Sequence, residues 1–149
     1  MSMEETYLGN LAERMSRETP QALALGIRFV SAAPGTAVMK VAYRADLVGD
    51  PDTGVLAGGV ITTLLDHVCG LAVGSQGGGG GTATLDLRID YMRSAEPGRD
   101  IFARAHCYKL TNAIAFVRAT AFEEDPDDPI ATAQGAFVLA GAPAPTTAP

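Results

Sequence analysis

Between Leu56 and Val73 the chain reads LAGGVITTLLDHVCGLAV, two glycines followed by a segment that is apolar almost throughout. A helix of that composition is buried around most of its circumference. Its polar side chains, Thr62, Thr63, Asp66 and His67, fall at i, i+3 and i+4 spacing and form one stripe, with Gly59, Gly70 and Gly74 on or beside it. Downstream the period changes from helical to alternating. Over residues 82–92 Ala83, Leu85, Leu87, Ile89 and Tyr91 should face one way, and Thr84, Asp86, Arg88 and Asp90 the other. Further strands are expected over 101–108, 113–123 and 130–139, separated by Glu96-Pro97-Gly98, Thr111-Asn112 and the DPDDP turn, with Gly135 read as a bulge. Upstream, residues 4–18 have the apolar spacing of an amphipathic helix that closes before Pro20. Residues 27–33 and 37–44 read as strands around Pro34-Gly35, and 45–55 as a loop that enters the apolar helix. The expected fold is α+β: about six antiparallel strands in one sheet, wrapped around one long central helix that nothing else can cover. Residues 1–140 are expected to form a single domain, with a glycine run at 77–81 and a flexible Pro/Ala tail at 141–149.

Composition narrows the function classes. The chain has 149 residues and is 47% hydrophobic, enough for one real core. A net charge of −6 argues against nucleic acid as a partner. No apolar run is long and glycine-free enough to span a bilayer, and the acidic start MSMEETYLGN is unlike a signal peptide, so a cytoplasmic protein is expected. Two cysteines, Cys69 and Cys107, make no disulfide framework.

The candidate chemistry lies on the central helix. Glycines at its start leave backbone N–H groups open, and these donors with the positive end of the dipole suit a developing oxyanion. Asp66 is a carboxylate in a buried helix, which is costly unless paired or working. Gly59 and Asp66 are seven residues apart, roughly 10 Å along the axis. A reacting carbonyl needs both within about 3 Å. A two-fold dimer with antiparallel helices resolves this by placing Asp66 of one copy beside the Gly59 end of the other. Gly70 and Gly74 are expected to let those helices approach.

The loop GDPDTGVLAGG, the helix with Asp66 seven positions after Gly59, the strand TATLDLRIDYM and the later IATAQG together resemble the hotdog-fold acyl-CoA thioesterases of the phenylacetate-degradation (PaaI-like) family. VSAAPG at residues 30–35 adds to the likeness, which covers roughly Ile27 to Leu139. The resemblance implies a homotetramer built from dimers, sites at the dimer interface, and hydrolysis of an acyl-CoA thioester with neither metal nor redox cofactor. It puts the catalytic carboxylate on Asp66, the oxyanion donor on the N–H of Gly58 or Gly59, and a hydroxyl assisting the attacking water on Thr84. A substrate-contacting asparagine of the family corresponds most nearly to Asp50, across a one-residue insertion. The chain departs from the family in two places. Ala57 stands where the family has a histidine before its glycines, and Asp50 brings a negative charge where the family has an amide.

Asp66 of one copy would then act as general base or nucleophile on a carbonyl polarised by Gly59 of the other. The plainer reading of Asp66 is a carboxylate that caps Thr62 or pairs with His67. His67 points about 100° away from Asp66 and reads as structural, with no second ligand at metal spacing. Cys69 lacks a basic neighbour and reads as a small apolar residue. The phosphates of CoA call for a basic entrance, for which Arg93 is the first candidate, ahead of Arg88, Arg118 and Lys109. Two competing functions remain, an enoyl-CoA hydratase and a non-catalytic acyl-CoA binder. The Asp66-His67 neighbours do not face together as the first would need, whereas Ala57 favours the second.

Overall fold

The computed structural model describes residues 1–76 and 81–140; most of the glycine run and the C-terminal tail lie outside the described residues. Helix α1 (Met3–Glu13) starts at a capping box in which Ser2 and Glu5 satisfy each other's backbone N–H groups. It continues into a π-helical turn (Arg14–Glu18) and then a second helix, α2 (Pro20–Leu25). The sequence reading ends the helix before Pro20. Pro20 in fact opens α2 at its first position, where a missing N–H costs nothing. Strands β1 (Ile27–Ala33) and β2 (Thr36–Val41) follow. The region expected as a plain loop holds a 3-10 turn and a two-stranded ribbon, β3 (Val48–Asp50) with β4 (Val55–Leu56). Helix α3 (Gly58–Gly74) comes next, then β5 (Thr82–Tyr91), β6 (Ile101–Leu110), β7 (Ile114–Phe122) and β8 (Ala131–Leu139).

Six strands form one antiparallel sheet in the order β1-β2-β6-β7-β8-β5. Its concave face holds α3, so the expectation of an α+β sheet around one central helix is met. The reason lies in the side chains. Val60, Ile61, Leu64, Leu65, Val68, Cys69, Leu71 and Ala72 are buried around the helix. The sheet residues that meet it are mostly small: Ala103, Ala105, Ala115, Ala119, Ala121 and Ala131 are all buried. Small inward side chains let a helix nest close to a sheet at native packing density. No helix among the described residues is long and apolar enough to cross a membrane.

One irregularity changes the expected facing of β5. The pairing runs Thr84 to Phe137, then Asp86 to Ala136, so Leu85 is an extra residue on the β5 side. The bulge therefore sits at Leu85 and not at Gly135. It reverses the alternation, so that Thr84 lies on the helix side together with Leu87, Ile89 and Tyr91, not opposite them as expected. Gly135 has a different role: a Cβ there would lie 2.7 Å from the Asp86 carbonyl oxygen and 3.0 Å from Leu87 Cδ1. The bulged strand approaches so closely that only glycine fits. Gly135→Ala should therefore destabilise the fold by about 1–3 kcal/mol in urea unfolding; an unchanged midpoint would contradict this packing.

Candidate active site

Helix α3 begins at Ala57, which supplies no side-chain cap. Among the described residues the N–H groups of Gly58 and Gly59 have no hydrogen-bond partner, and both glycines are exposed. A Cβ on Gly59 would touch nothing within 4 Å. The open donor pair expected from sequence is therefore present and accessible. Its position is held by two hydroxyls. Tyr91 donates to the Gly58 carbonyl at 2.8 Å and Thr62 reaches the same oxygen at 3.2 Å, with the two hydroxyls 2.5 Å apart. Tyr91 was not singled out in the sequence, where it reads as one more member of an alternating strand. It shares the helix-facing side of β5 with Leu87 and Ile89. A cleft of about 390 Å³ opens there, lined by Leu56, Gly58, Ile61, Tyr91, Met92 and Arg93.

Two turns along the same stripe, the half-buried Asp66 accepts a hydrogen bond from Thr84 Oγ1 on Oδ1 at 2.8 Å. Its other oxygen has no partner among the described residues. The plainer roles for this carboxylate are taken away by its neighbours. Thr62 bonds to Gly58 and Tyr91, while His67 Nε2–H donates to the Met15 carbonyl at 2.6 Å. Asp66 and Thr84 are thus brought together, apart from Gly58 and Gly59, which begin the helix that carries Asp66.

The other candidates are differently employed. Asp50 Oδ1 accepts from Asp52 N–H and Oδ2 from the Thr53 hydroxyl, so its carboxylate closes the turn between β3 and β4. Arg93 lines the cleft beside Gly58, yet its guanidinium is engaged with Glu123, Asp128 and the Ser94 carbonyl. Arg88 pairs with Asp90 at 3.2 Å, and Arg118 stacks 4.0 Å over the Tyr108 ring, both on the outer face of the sheet. Gly70 and Gly74 do not await a second helix. A Cβ on Gly70 would meet Met15 Cε at 3.6 Å, and one on Gly74 would meet Leu11 Cδ2 at 3.0 Å, so both face the chain's own N-terminal segment. Burial, with the charge of Asp66 second, pushes the Cys69 thiol up to about 12, which excludes a thiolate nucleophile at neutral pH. Among the described residues no group of three or more His, Cys, Asp or Glu is placed to hold a metal ion.

A sheet curled around one helix, with open N–H groups at the helix start and a carboxylate two turns on, is the hotdog architecture. Residues 53–130 match the Thioesterase superfamily, so the chain belongs to that superfamily. It is 36% identical to a protein of Pseudomonas aeruginosa of solved structure, at TM-score 0.80, over 88% of this chain and 98% of that one. A mutant of the phenylacetic acid degradation protein PaaI from Thermus thermophilus matches at 30% identity and TM-score 0.71, over 80% of this chain and 98% of that one. Human acyl-coenzyme A thioesterase 13 is 32% identical over 90 residues, which is 60% of this chain and 63% of that protein. The chain thus spans a little under two thirds of the curated relatives it matches.

Arg93, which lines the cleft, forms an ion pair with Glu123. Glu123 has a side chain only 5% exposed and accepts from Arg93 and from the Glu96 N–H. Burial alone would push its carboxyl up, but the Arg93 hydrogen bonds and charge, with the Glu96 N–H, hold it below the usual 4.5. That stabilisation is complete above 4.5 and is lost as pH falls through the lowered folded value. Glu123→Gln should cost about 2–3 kcal/mol at pH 7, and the gap to the parent should close as pH falls from 4.5 through the lowered folded value. Urea midpoints measured across that range check it; a gap independent of pH would contradict it.

Proposed function

We propose that this chain hydrolyses acyl-CoA or aryl-CoA thioesters to the free acid and CoA, at sites shared by two copies. One observation supports this most: Asp66, bonded to Thr84 of β5 and with one carboxylate oxygen free, lies on the same stripe of α3 as the open Gly59 donor, with Gly58 beside it. At seven residues, or roughly 10 Å, the groups are too far apart to meet on one carbonyl. Strand β5 supports the second copy. It is an edge strand of ten residues with Leu85 and Tyr91 at least half exposed, and such an edge pairs readily with another strand. Two-fold pairing along β5 lays the α3 helices antiparallel and brings Asp66 of each copy toward Gly59 of the other. Two such dimers would form the tetramer that the family resemblance suggests.

In this reading the Gly59 N–H, with Gly58 beside it and the helix dipole behind, polarises the thioester carbonyl. Water attacks the carbonyl carbon while the free oxygen of Asp66 takes its proton. Thr84 donates to Oδ1, which orients the carboxylate, and its own lone pairs can accept from the same water; this favours general-base action over direct attack. Collapse of the tetrahedral oxyanion expels the CoA thiolate, which takes a proton on leaving. No step uses a metal or redox cofactor. Tyr91 and Thr62 keep the helix start in place, a support Ala57 cannot give. Arg93 and Asp50, each committed within its own neighbourhood, shape the cleft wall and the entering loop.

A panel of acyl-CoAs in a thiol-release assay tests the proposal. Asp66→Asn should lose about 10²–10⁴-fold in turnover, as the removal of a general base does. Parent-level turnover in that variant would defeat it. Binding without thiol release would leave an acyl-CoA binder, and a change in enoyl absorbance a hydratase.

A further inference from the structure

The peptide unit between Gly58 and Gly59 carries the Gly58 carbonyl on one side and the Gly59 N–H on the other, so whatever binds the first acts on the second. Its carbonyl is loaded with hydroxyls. Tyr91 Oη lies 2.8 Å from the Gly58 oxygen and Thr62 Oγ1 3.2 Å from it, and the two hydroxyls are 2.5 Å apart. Its N–H is open among the described residues. No neighbouring unit combines these two features among those residues. In the unit before it, the Ala57 carbonyl accepts from the Val60 N–H at 3.0 Å and from no hydroxyl. In the unit after it, the Gly59 carbonyl accepts from the Thr63 hydroxyl at 2.9 Å, but the Val60 N–H is already spent on Ala57. Tyr91 reaches the Gly58–Gly59 unit from another element, β5, and lies close against it: a Cβ on Gly58 would sit 3.7 Å from the phenolic oxygen.

We infer that Tyr91 is a positioning residue for the oxyanion donor, its hydroxyl orienting the Gly58–Gly59 peptide and strengthening the Gly59 N–H. The inference rests on the thioesterase reading and deepens it. Two hydroxyl protons serve three contacts, and they are used without conflict when Thr62 donates to Tyr91 and Tyr91 donates to the Gly58 carbonyl. That order puts the phenol, the more acidic of the two hydroxyls, on the carbonyl. Each donation polarises the group that makes the next one. Charge drawn onto the Gly58 oxygen leaves the Gly59 hydrogen more positive, and this is the atom that meets the developing oxyanion. The same bond stops the glycine pair from turning its open N–H away. That restraint matters at a helix start with two conformationally free residues and no side-chain cap.

Tyr91→Phe keeps the ring and removes the hydroxyl. Its kcat on the best acyl-CoA of a panel should fall about tenfold, less than the loss of a direct oxyanion donor, with KM within twofold of the parent. Thr62→Val removes the donor behind Tyr91 and should lower kcat roughly threefold, so the test survives if the first variant fails to fold; melting curves report which are folded. Graded donor strength separates polarisation from a merely structural bond. Replacing Tyr91 by 3-fluorotyrosine, a stronger donor of nearly the same shape, should raise kcat about twofold at a pH where both phenols are protonated. A folded Tyr91→Phe protein with kcat within twofold of the parent, or a fluorotyrosine protein no faster than the parent, would overturn the inference. If the parent hydrolyses no acyl-CoA, the thioesterase reading fails, and the amide spectrum of protein labelled with nitrogen-15 glycine still decides the relay. An upfield move of the Gly59 amide proton by roughly 0.3 ppm in Tyr91→Phe upholds it, and an unmoved resonance rejects it.

Discussion

An α-helix is a rod of fixed rise, and α3 carries both halves of the proposed reaction centre on one side of that rod. The open N–H groups are at its start and the carboxylate is two turns further on. No rotamer change brings Asp66 to Gly59, and the rod cannot bend because the sheet grips it through Leu64, Leu65, Val68 and Leu71, all fully buried. Everything else in the fold follows from holding this rod while leaving one stripe uncovered. The alanine-lined sheet covers the apolar majority. The uncovered stripe lies next to β5, one of the sheet's two edge strands among the described residues.

Polar groups on such a helix are tolerated only when their hydrogen bonds are made locally. Thr62 and Thr63 bond back to the carbonyls of Gly58 and Gly59, and His67 bonds to Met15. Asp66 is the exception, with one oxygen bound to Thr84 and one free. Its free oxygen is open to solvent beside an open sheet edge, where a substrate or a second copy can reach it. Arg93 and Asp50 illustrate the opposite case. Their charges are spent on Glu123 and on the turn after β3, respectively.

The central helix and the strands after it were legible because their periods are long enough to survive a single irregularity. Asp66 stood out because a charge in that setting is rare. What the sequence concealed depends on single-residue events. One extra residue at Leu85 flips the facing of half of β5, and no alternation pattern shows where such a residue falls. That flip is what sets Thr84 beside Asp66, on the side that Tyr91 shares. The short helix α2 was hidden because proline both ends one helix and begins the next. Gly70 and Gly74 signal close approach in the sequence without saying of what, and the neighbour is the chain's own N-terminal segment rather than a second α3. For Arg93, the competing partner Glu123 is thirty residues away and visible only in three dimensions.

The central claim is that the two halves of the centre come from different copies, and mixing two inactive variants tests it most directly. Asp66→Asn removes the carboxylate. Gly59→Pro removes one donor in the first helical turn, where no intrahelical bond is lost. Each homodimer should be inactive. After the two are unfolded together and refolded in equal amounts, half of the dimers are mixed and each mixed dimer contains one intact site, so about a quarter of parent turnover should return. If the mixture remains as inactive as its components while folded mixed dimers are present, the centre is not shared between chains and the account is wrong.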